Sequence, residues 1–245
     1  ATALAELGSI AVKGRAPMTG YSRDQFGPAW PSMAGCDERN DTLRRDLSAI
    51  TMKDSCVVAS GTLVSPYSAT TIHWVRGPQS ALVQIDHVVA LGDAWQTGAQ
   101  YWSAATREQF ANDPIELLAV DEHSNEQKGD GDAATWLPAN KAFRCTYVSL
   151  QVTVKSKYGL WVTQAEHDAI AGILANCAAS STTATPEADR TTATPTTTVA
   201  TPAPTAASTP TATKPASTQA YVTPGAFCST AGATELSNTG KREVC

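Results

Sequence analysis

Two short stretches of the chain hold the residue types that hydrolytic chemistry needs. The first is Ile85-Asp86-His87-Val88-Val89, an acidic residue beside a histidine inside an apolar run. The second is Asn125-Glu126-Gln127-Lys128-Gly129-Asp130, a polar turn that leads into a helix. On a regular strand, adjacent side chains face opposite sides, so one of Asp86 and His87 is expected to be buried. Burying an unpaired charge is costly, and the pair therefore needs a reason. A carboxylate and an amide oxygen are hard ligands that suit a divalent cation retaining several waters. A neutral histidine beside that cation can take a proton from water near neutral pH. Brought together, Asp86, His87 and Asn125 are parts for hydrolysing a phosphodiester. The plainer reading is a satisfied histidine at a strand end, with Asp86 capping a turn.

Positioning these groups requires two strands and a helix. Val83–Val89 is a β-branched run that reads as one strand, and Leu117–Val120 reads as the second. The chain returns to helix from Asn125 onward. Elsewhere a short helix is expected around Ala3–Leu7, and Asp37 is placed to cap a helix running through Leu47. Cys56 to about Val75 reads as a hairpin or meander broken at Ser65-Pro66-Tyr67-Ser68. Leu91–Trp102 reads as a helix with Trp95 and Trp102 on one face. Thr106-Arg107-Glu108-Gln109 and Thr163-Gln164-Ala165-Glu166 fit capping boxes, the second opening a helix that ends at Cys177. The class is α+β.

Composition places that chemistry in the front of the chain. Of 245 residues 42% are hydrophobic, yet no run approaches the roughly 20 apolar residues needed to span a bilayer. The net charge of −5 builds in no long-range attraction to nucleic acid. Residues 1–177 carry all six tryptophans and read as the catalytic domain. From 178 to 220 the sequence is nearly all Thr, Ala, Ser and Pro, which cannot bury enough apolar surface to offset its ordering entropy. It is predicted to be a disordered stalk whose composition suits O-glycosylation. Residues 221–245 are too few for a core without a staple. The cysteines at 36, 56, 145, 177, 228 and 245 contain no C-x-x-C pair, and their even number and wide spacing point to disulfides and an oxidising compartment. Of the possible pairings the sequential one is favoured: Cys36–Cys56, Cys145–Cys177 and Cys228–Cys245. Ala1-Thr2-Ala3 reads as the start of a mature secreted chain.

These residues carry a resemblance. Ile85-Asp86-His87-Val88-Val89-Ala90-Leu91, Asp93-Ala94-Trp95, Asn112-Asp113-Pro114, Leu117-Leu118-Ala119-Val120, Asn125-Glu126-Gln127-Lys128-Gly129-Asp130 and Trp136-Leu137-Pro138 resemble the HNH endonucleases. More narrowly they are similar to the secreted branch related to the C-terminal domain of GmrSD-type restriction enzymes, the DUF1524 group. Cys36-Asp37-Glu38-Arg39-Asn40 and Leu43-Arg44-Arg45-Asp46-Leu47 look like the upstream part of those proteins, so the likeness covers roughly residues 20–177.

The resemblance implies a ββα-metal site that cleaves DNA, with RNA as an alternative, leaving 5′-phosphate and 3′-hydroxyl ends. It makes His87 the general base and Asp86 and Asn125 the holders of Mg²⁺, with Mn²⁺ as a substitute. It sends Lys128 toward the scissile phosphate. Glu116 stands where the family usually has the asparagine that braces the histidine loop; Glu116 or the nearby Asn112 would have to replace it.

Arg23, Arg44 and Arg45 are candidates for phosphate contact, although Arg44 and Arg45 equally suit pairing with Asp41 and Asp46. His73, His123 and His167 read as structural or surface residues. Asp130 and Asp132 suit either a second cation or turn capping, with capping favoured. The rival to a secreted nuclease is a wall-associated binding protein with a degenerate nuclease domain, touching the cell wall through residues 221–245. Nicking of a plasmid in the presence of metal separates the two.

Overall fold

A computed structural model describes residues 2–32, 35–182, 234–236 and 242–244. The chain divides into two units, Ala1–Ala188 and Asp189–Cys245. In the second unit the described residues form one antiparallel ladder, Thr234–Leu236 with Arg242–Val244. The expected stalk beyond residue 182, the Cys228–Cys245 bridge and the rest of the C-terminal module lie outside the described residues.

The first unit is α+β. It opens with α1 (Ala3–Leu7), capped by the Thr2 hydroxyl, and α2 (Glu38–Asp46), where the Asp37 carboxylate accepts from the Asn40 amide as expected. Three antiparallel strands follow in sequential order: β1 (Ser48–Met52), β2 (Val58–Val64) and β3 (Thr71–Val75). Then comes β4 (Val83–His87), α3 (Leu91–Gln96), α4 (Ala104–Ala111), β5 (Leu117–Asp121) and α5 (Glu122–Lys128). The unit closes with α6 (Arg144–Tyr158) and α7 (Gln164–Thr182).

Strand β5 lies antiparallel to β4, with Asp86 opposite Leu118 and His87 opposite Leu117. Val83, Ile85, Leu117 and Ala119 pack with Leu43, Leu63 and Trp74 from α2 and the three-stranded sheet. Val88 and Val120 pack with Tyr67, Tyr147, Val152 and Ile170, which brings in α6 and α7. A third cluster gathers Val89, Leu91 and Trp95 with Phe26 and Phe110. The end of β4 is therefore enclosed on both faces, and Asp86 and His87 are each only 6% exposed. The burial expected for one of the two extends to both, because helices and a second sheet cover opposite sides of this short ladder.

Three local readings are corrected. The helix expected over Leu91–Trp102 stops at Gln96, because Gly98 adopts φ 139 and a separate short turn, Ala99–Tyr101, follows. The cap of α4 is Ser103, whose hydroxyl accepts from the Thr106 amide, so Thr106 lies inside the helix. Helix α7 is opened by the expected Thr163/Glu166 box but runs to Thr182, five residues past Cys177.

Two expected disulfides are present, Cys36–Cys56 and Cys145–Cys177, closing 20 and 32 residues. The second ties the first turn of α6 to α7. Loop-closure entropy gives such a bridge about 3–4 kcal/mol. Replacing both Cys145 and Cys177 by serine is expected to lower the melting temperature by about 10 °C. Thermal denaturation followed by circular dichroism checks this; an unchanged midpoint would show that packing of α6 on α7 already supplies the constraint.

Candidate active site

Strand β4 presents Asp86 and His87, and α5, starting one residue after β5, presents Asn125 and Lys128. The start of α5 is set by Asp121, whose carboxylate accepts from the Ser124 amide and from the hydroxyls of Ser65 and Ser68. The helix thus begins three residues earlier than the sequence reading placed it. Asp86, His87 and Asn125 line one hollow of about 160 Å³, together with Tyr21, Arg23 and Asp130.

The imidazole of His87 is held in one tautomer. Its Nε2 lies 2.9 Å from the carbonyl oxygen of Ala111. A carbonyl can only accept, so Nε2 carries the proton and Nδ1 keeps its lone pair. Burial, with the charges of Arg23 and Lys128, pushes the His87 pKa down to about 3 against the pull of the Ala111 carbonyl. The ring is therefore unprotonated at neutral pH.

Asp86 is fixed from two sides: the Tyr67 hydroxyl donates to Oδ2 at 2.5 Å and the Lys128 ammonium to Oδ1 at 2.9 Å. Burial and the Asp86 charge hold the Tyr67 pKa well above its usual value, so the phenol remains a donor. Asn125 Nδ2 donates to Gln84 Oε1 at 2.7 Å, which turns the amide oxygen away from that partner and leaves it able to accept. A carboxylate, an amide oxygen and a neutral imidazole lining one hollow are donor types that fit a hard divalent cation keeping part of its water. Each carboxylate oxygen has a second lone pair beyond the bond it already accepts.

The other candidates separate clearly. Lys128 is 3% exposed and also donates to the His87 carbonyl at 2.7 Å, so it braces the strand end and does not reach out to a phosphate. Both Glu116 oxygens accept from the Val89 amide, at 3.0 and 3.2 Å, while the Val88 amide donates to the Glu116 carbonyl. Glu116 therefore clasps the residues just after His87, and burial holds its pKa well above the carboxylate range. Asn112 does not share that task; its amide donates back to the Glu108 carbonyl at the end of α4.

Arg44 donates to the Ser55 carbonyl, and Arg45 to the carbonyls of Pro114 and Leu117 and to its neighbour Asp46. Both guanidiniums are spent on tying α2 to adjoining loops and to the start of β5, and neither lines the hollow. Arg23 does line it, is exposed, and forms no ion pair among the described residues. Asp130 accepts from the Gly92 amide at the start of α3, whereas Asp132 pairs with Arg15. His123 is exposed, and the His73 ring lies 3.2 Å from the Thr62 hydroxyl.

The model of the GmrSD restriction endonuclease C-terminal domain matches residues 37–173, more than half of the chain. The chain belongs to this family. The matched span takes in β4, β5 and α5 and so every residue on the wall of the hollow except Tyr21 and Arg23. The chain is also 39% identical over 179 residues to an uncharacterized secreted protein of Arthroderma benhamiae, covering 72% of this chain and 85% of that relative. No solved structure matches. Among the described residues no helix is long and apolar enough to cross a membrane.

Two features escaped the sequence reading. Trp30 stands parallel to the His87 ring, with an interplanar angle of 9° and centroids 6.2 Å apart. A buried charge cluster joins Asp93, Asp132 and Glu166 to Lys155 and Arg15. With two cations already among its carboxylates, that cluster is an internal ion network. Lys155 on α6 could have been noticed as a charge among Val152, Val154 and Tyr147; Trp30, in a turn between Pro28 and Pro31, leaves no periodic signal.

Proposed function

We propose that the protein is a secreted, metal-dependent endonuclease of the HNH type, hydrolysing phosphodiester bonds of DNA, with RNA as the alternative substrate. The observation that supports this most is that Asp86, Asn125 and a tautomerically fixed His87 line the same hollow, in a chain of a restriction-endonuclease family. The secreted name of the Arthroderma benhamiae relative and the disulfides support export.

In this reading β4, β5 and α5 form a ββα-metal unit, and Asp86 and Asn125 hold Mg²⁺ or Mn²⁺. When bound, the ion supplies charge stabilisation at the phosphate and leaving oxygen. His87 Nδ1 takes a proton from a water whose oxygen attacks phosphorus. The bond from phosphorus to the 3′ oxygen breaks, and that oxygen takes a proton from solvent. Ala111 fixes the ring for this transfer, Tyr67 and Lys128 orient the Asp86 carboxylate, and Glu116 holds the chain just after His87. Arg23 is the exposed cation placed to meet the phosphate.

The test is conversion of supercoiled plasmid to nicked circles. EDTA is expected to abolish nicking, and Mg²⁺ or Mn²⁺ in excess to restore it. Nicking that persists in EDTA contradicts the metal assignment, and no cleavage of either plasmid or single-stranded DNA under any divalent ion favours the binding-only alternative.

A further inference from the structure

The hollow at His87 adjoins two others, and a few side chains recur in their walls. Arg23 lines all three. Trp30 lines a small one shared with His87 and a wider one, about 480 Å³, shared with Arg39 and Asn125. Trp30 is half-buried and sits at φ 54, a backbone region that a bulky side chain rarely adopts. Residues kept there are over-determined by their surroundings and cluster at functional sites. The Trp30 ring is set parallel to the His87 imidazole.

The cations beside it have positive charge to spare. Arg39 is half-buried, donates only to the carbonyls of Ser80 and Val83, and forms no ion pair among the described residues. Burial and the nearby Arg76 push its pKa down against a longer-range pull from Asp37, so an anion at Arg39 would be welcome. Arg23 likewise forms no ion pair among the described residues. An aromatic ring beside two guanidiniums without a carboxylate partner among the described residues is the combination that takes a base by stacking and its phosphate by charge-assisted hydrogen bonds. Within a duplex both faces of each base are already covered, so such a face serves an unpaired base.

We propose that Trp30, Arg39 and Arg23 form a subsite that stacks one unpaired base and holds its phosphate beside His87, which makes single-stranded nucleic acid the preferred substrate. The proposal rests on the nuclease reading for its reaction but not for its binding. Stacking also supplies affinity that a chain of net charge −5 cannot draw from long-range attraction.

The test uses the full chain and a short fluorescein-labelled DNA strand, alone or annealed to its complement. Anisotropy in EDTA reads binding, and gels in Mg²⁺ or Mn²⁺ read cleavage. The single strand is expected to bind at least about tenfold more tightly than the duplex. Trp30→Ala should weaken single-strand binding about ten- to hundredfold, and Trp30→Phe should keep most of it. Arg39→Gln should reduce the dependence of log affinity on log salt by about 0.7. Melting curves confirm folding; if Trp30→Ala unfolds, Trp30→Phe and Arg39→Gln carry the test. Equal binding of strand and duplex, or Trp30→Ala binding as the wild type does, overturns the proposal. Trp30-dependent binding without cleavage supports the subsite and overturns the nuclease reading. Cleavage with Trp30-independent binding does the reverse.

Discussion

His87→Ala is expected to reduce plasmid cleavage by about 10²- to 10⁴-fold, the range that a positioned general base contributes. The loss should fall on the rate of the chemical step, because alanine removes the Nδ1 lone pair without touching Arg23 or the carboxylate of Asp86. The fold should survive. Among the described residues His87 makes a single side-chain hydrogen bond, to Ala111, and the Val88 and Val89 amides remain clasped by Glu116. Rates of nicking at saturating DNA, with melting temperatures measured alongside, check this. A His87→Ala protein that nicks at the wild-type rate would remove His87 from the chemistry.

The second large effect is on stability. Lys155 is fully buried, with its ammonium 2.8 Å from Asp93 and 2.6 Å from Glu166. Removing one partner of a buried ion network leaves uncompensated charge and costs about 3–5 kcal/mol. Lys155→Met is therefore expected to lower the melting temperature by about 10 °C at pH 8.

The deficit should shrink in acid. Burial raises the Glu166 pKa to about 7 despite Lys155, with Asp93 and Asp132 adding repulsion. A carboxyl whose folded pKa lies above its unfolded value favours the folded state fully below the unfolded value, and that contribution is lost as pH rises through the folded one. The wild-type domain should thus lose some stability between about pH 4.5 and 7 from this group, and Glu166→Gln should flatten that slope. Without Lys155 the carboxylates have more to gain from protons, so the gap between Lys155→Met and wild type should be smaller at pH 5 than at pH 8. Denaturation midpoints of the three proteins at both pH values decide it; an equal gap would place the cost in lost packing.

Much of the site's framework was legible because it is written locally. Asp37 before α2, the β-branched run of β4, Leu117–Val120 and the Thr163/Glu166 box each depend on neighbours a few residues away. The pairing Cys36–Cys56 and Cys145–Cys177 also follows from nearness in sequence. Where two local signals compete, the sequence does not choose: Ser103 and Thr106 are both capping hydroxyls, and the structure uses the first. β1 escaped notice because its Ser48-Ala49-Ile50-Thr51-Met52 run is largely exposed, irregular in register and carries Ala49 at φ 48.

The harder cases are cations whose partners lie far away in the chain. Lys128 looks like an exposed lysine next to Gly129, yet it is buried by pairing with Asp86, 42 residues away. Arg44 and Arg45 look like a basic patch on α2, yet backbone carbonyls of other segments take their donors. Glu116 departs from the family pattern in type while still accepting backbone N–H bonds after His87. Side-chain identity alone does not announce such roles, because they are set by what tertiary packing brings within hydrogen-bond reach.

The central claim is that Asp86, Asn125 and His87 serve one hydrated divalent ion. An anomalous difference map from crystals soaked in Mn²⁺ tests it most directly. The expected map shows an ion held by oxygens of Asp86 and Asn125, with a water on it facing His87 Nδ1, and no such peak in crystals of Asp86→Ala. A fully soaked wild-type crystal with no ion there, or with manganese bound only elsewhere, would contradict the claim.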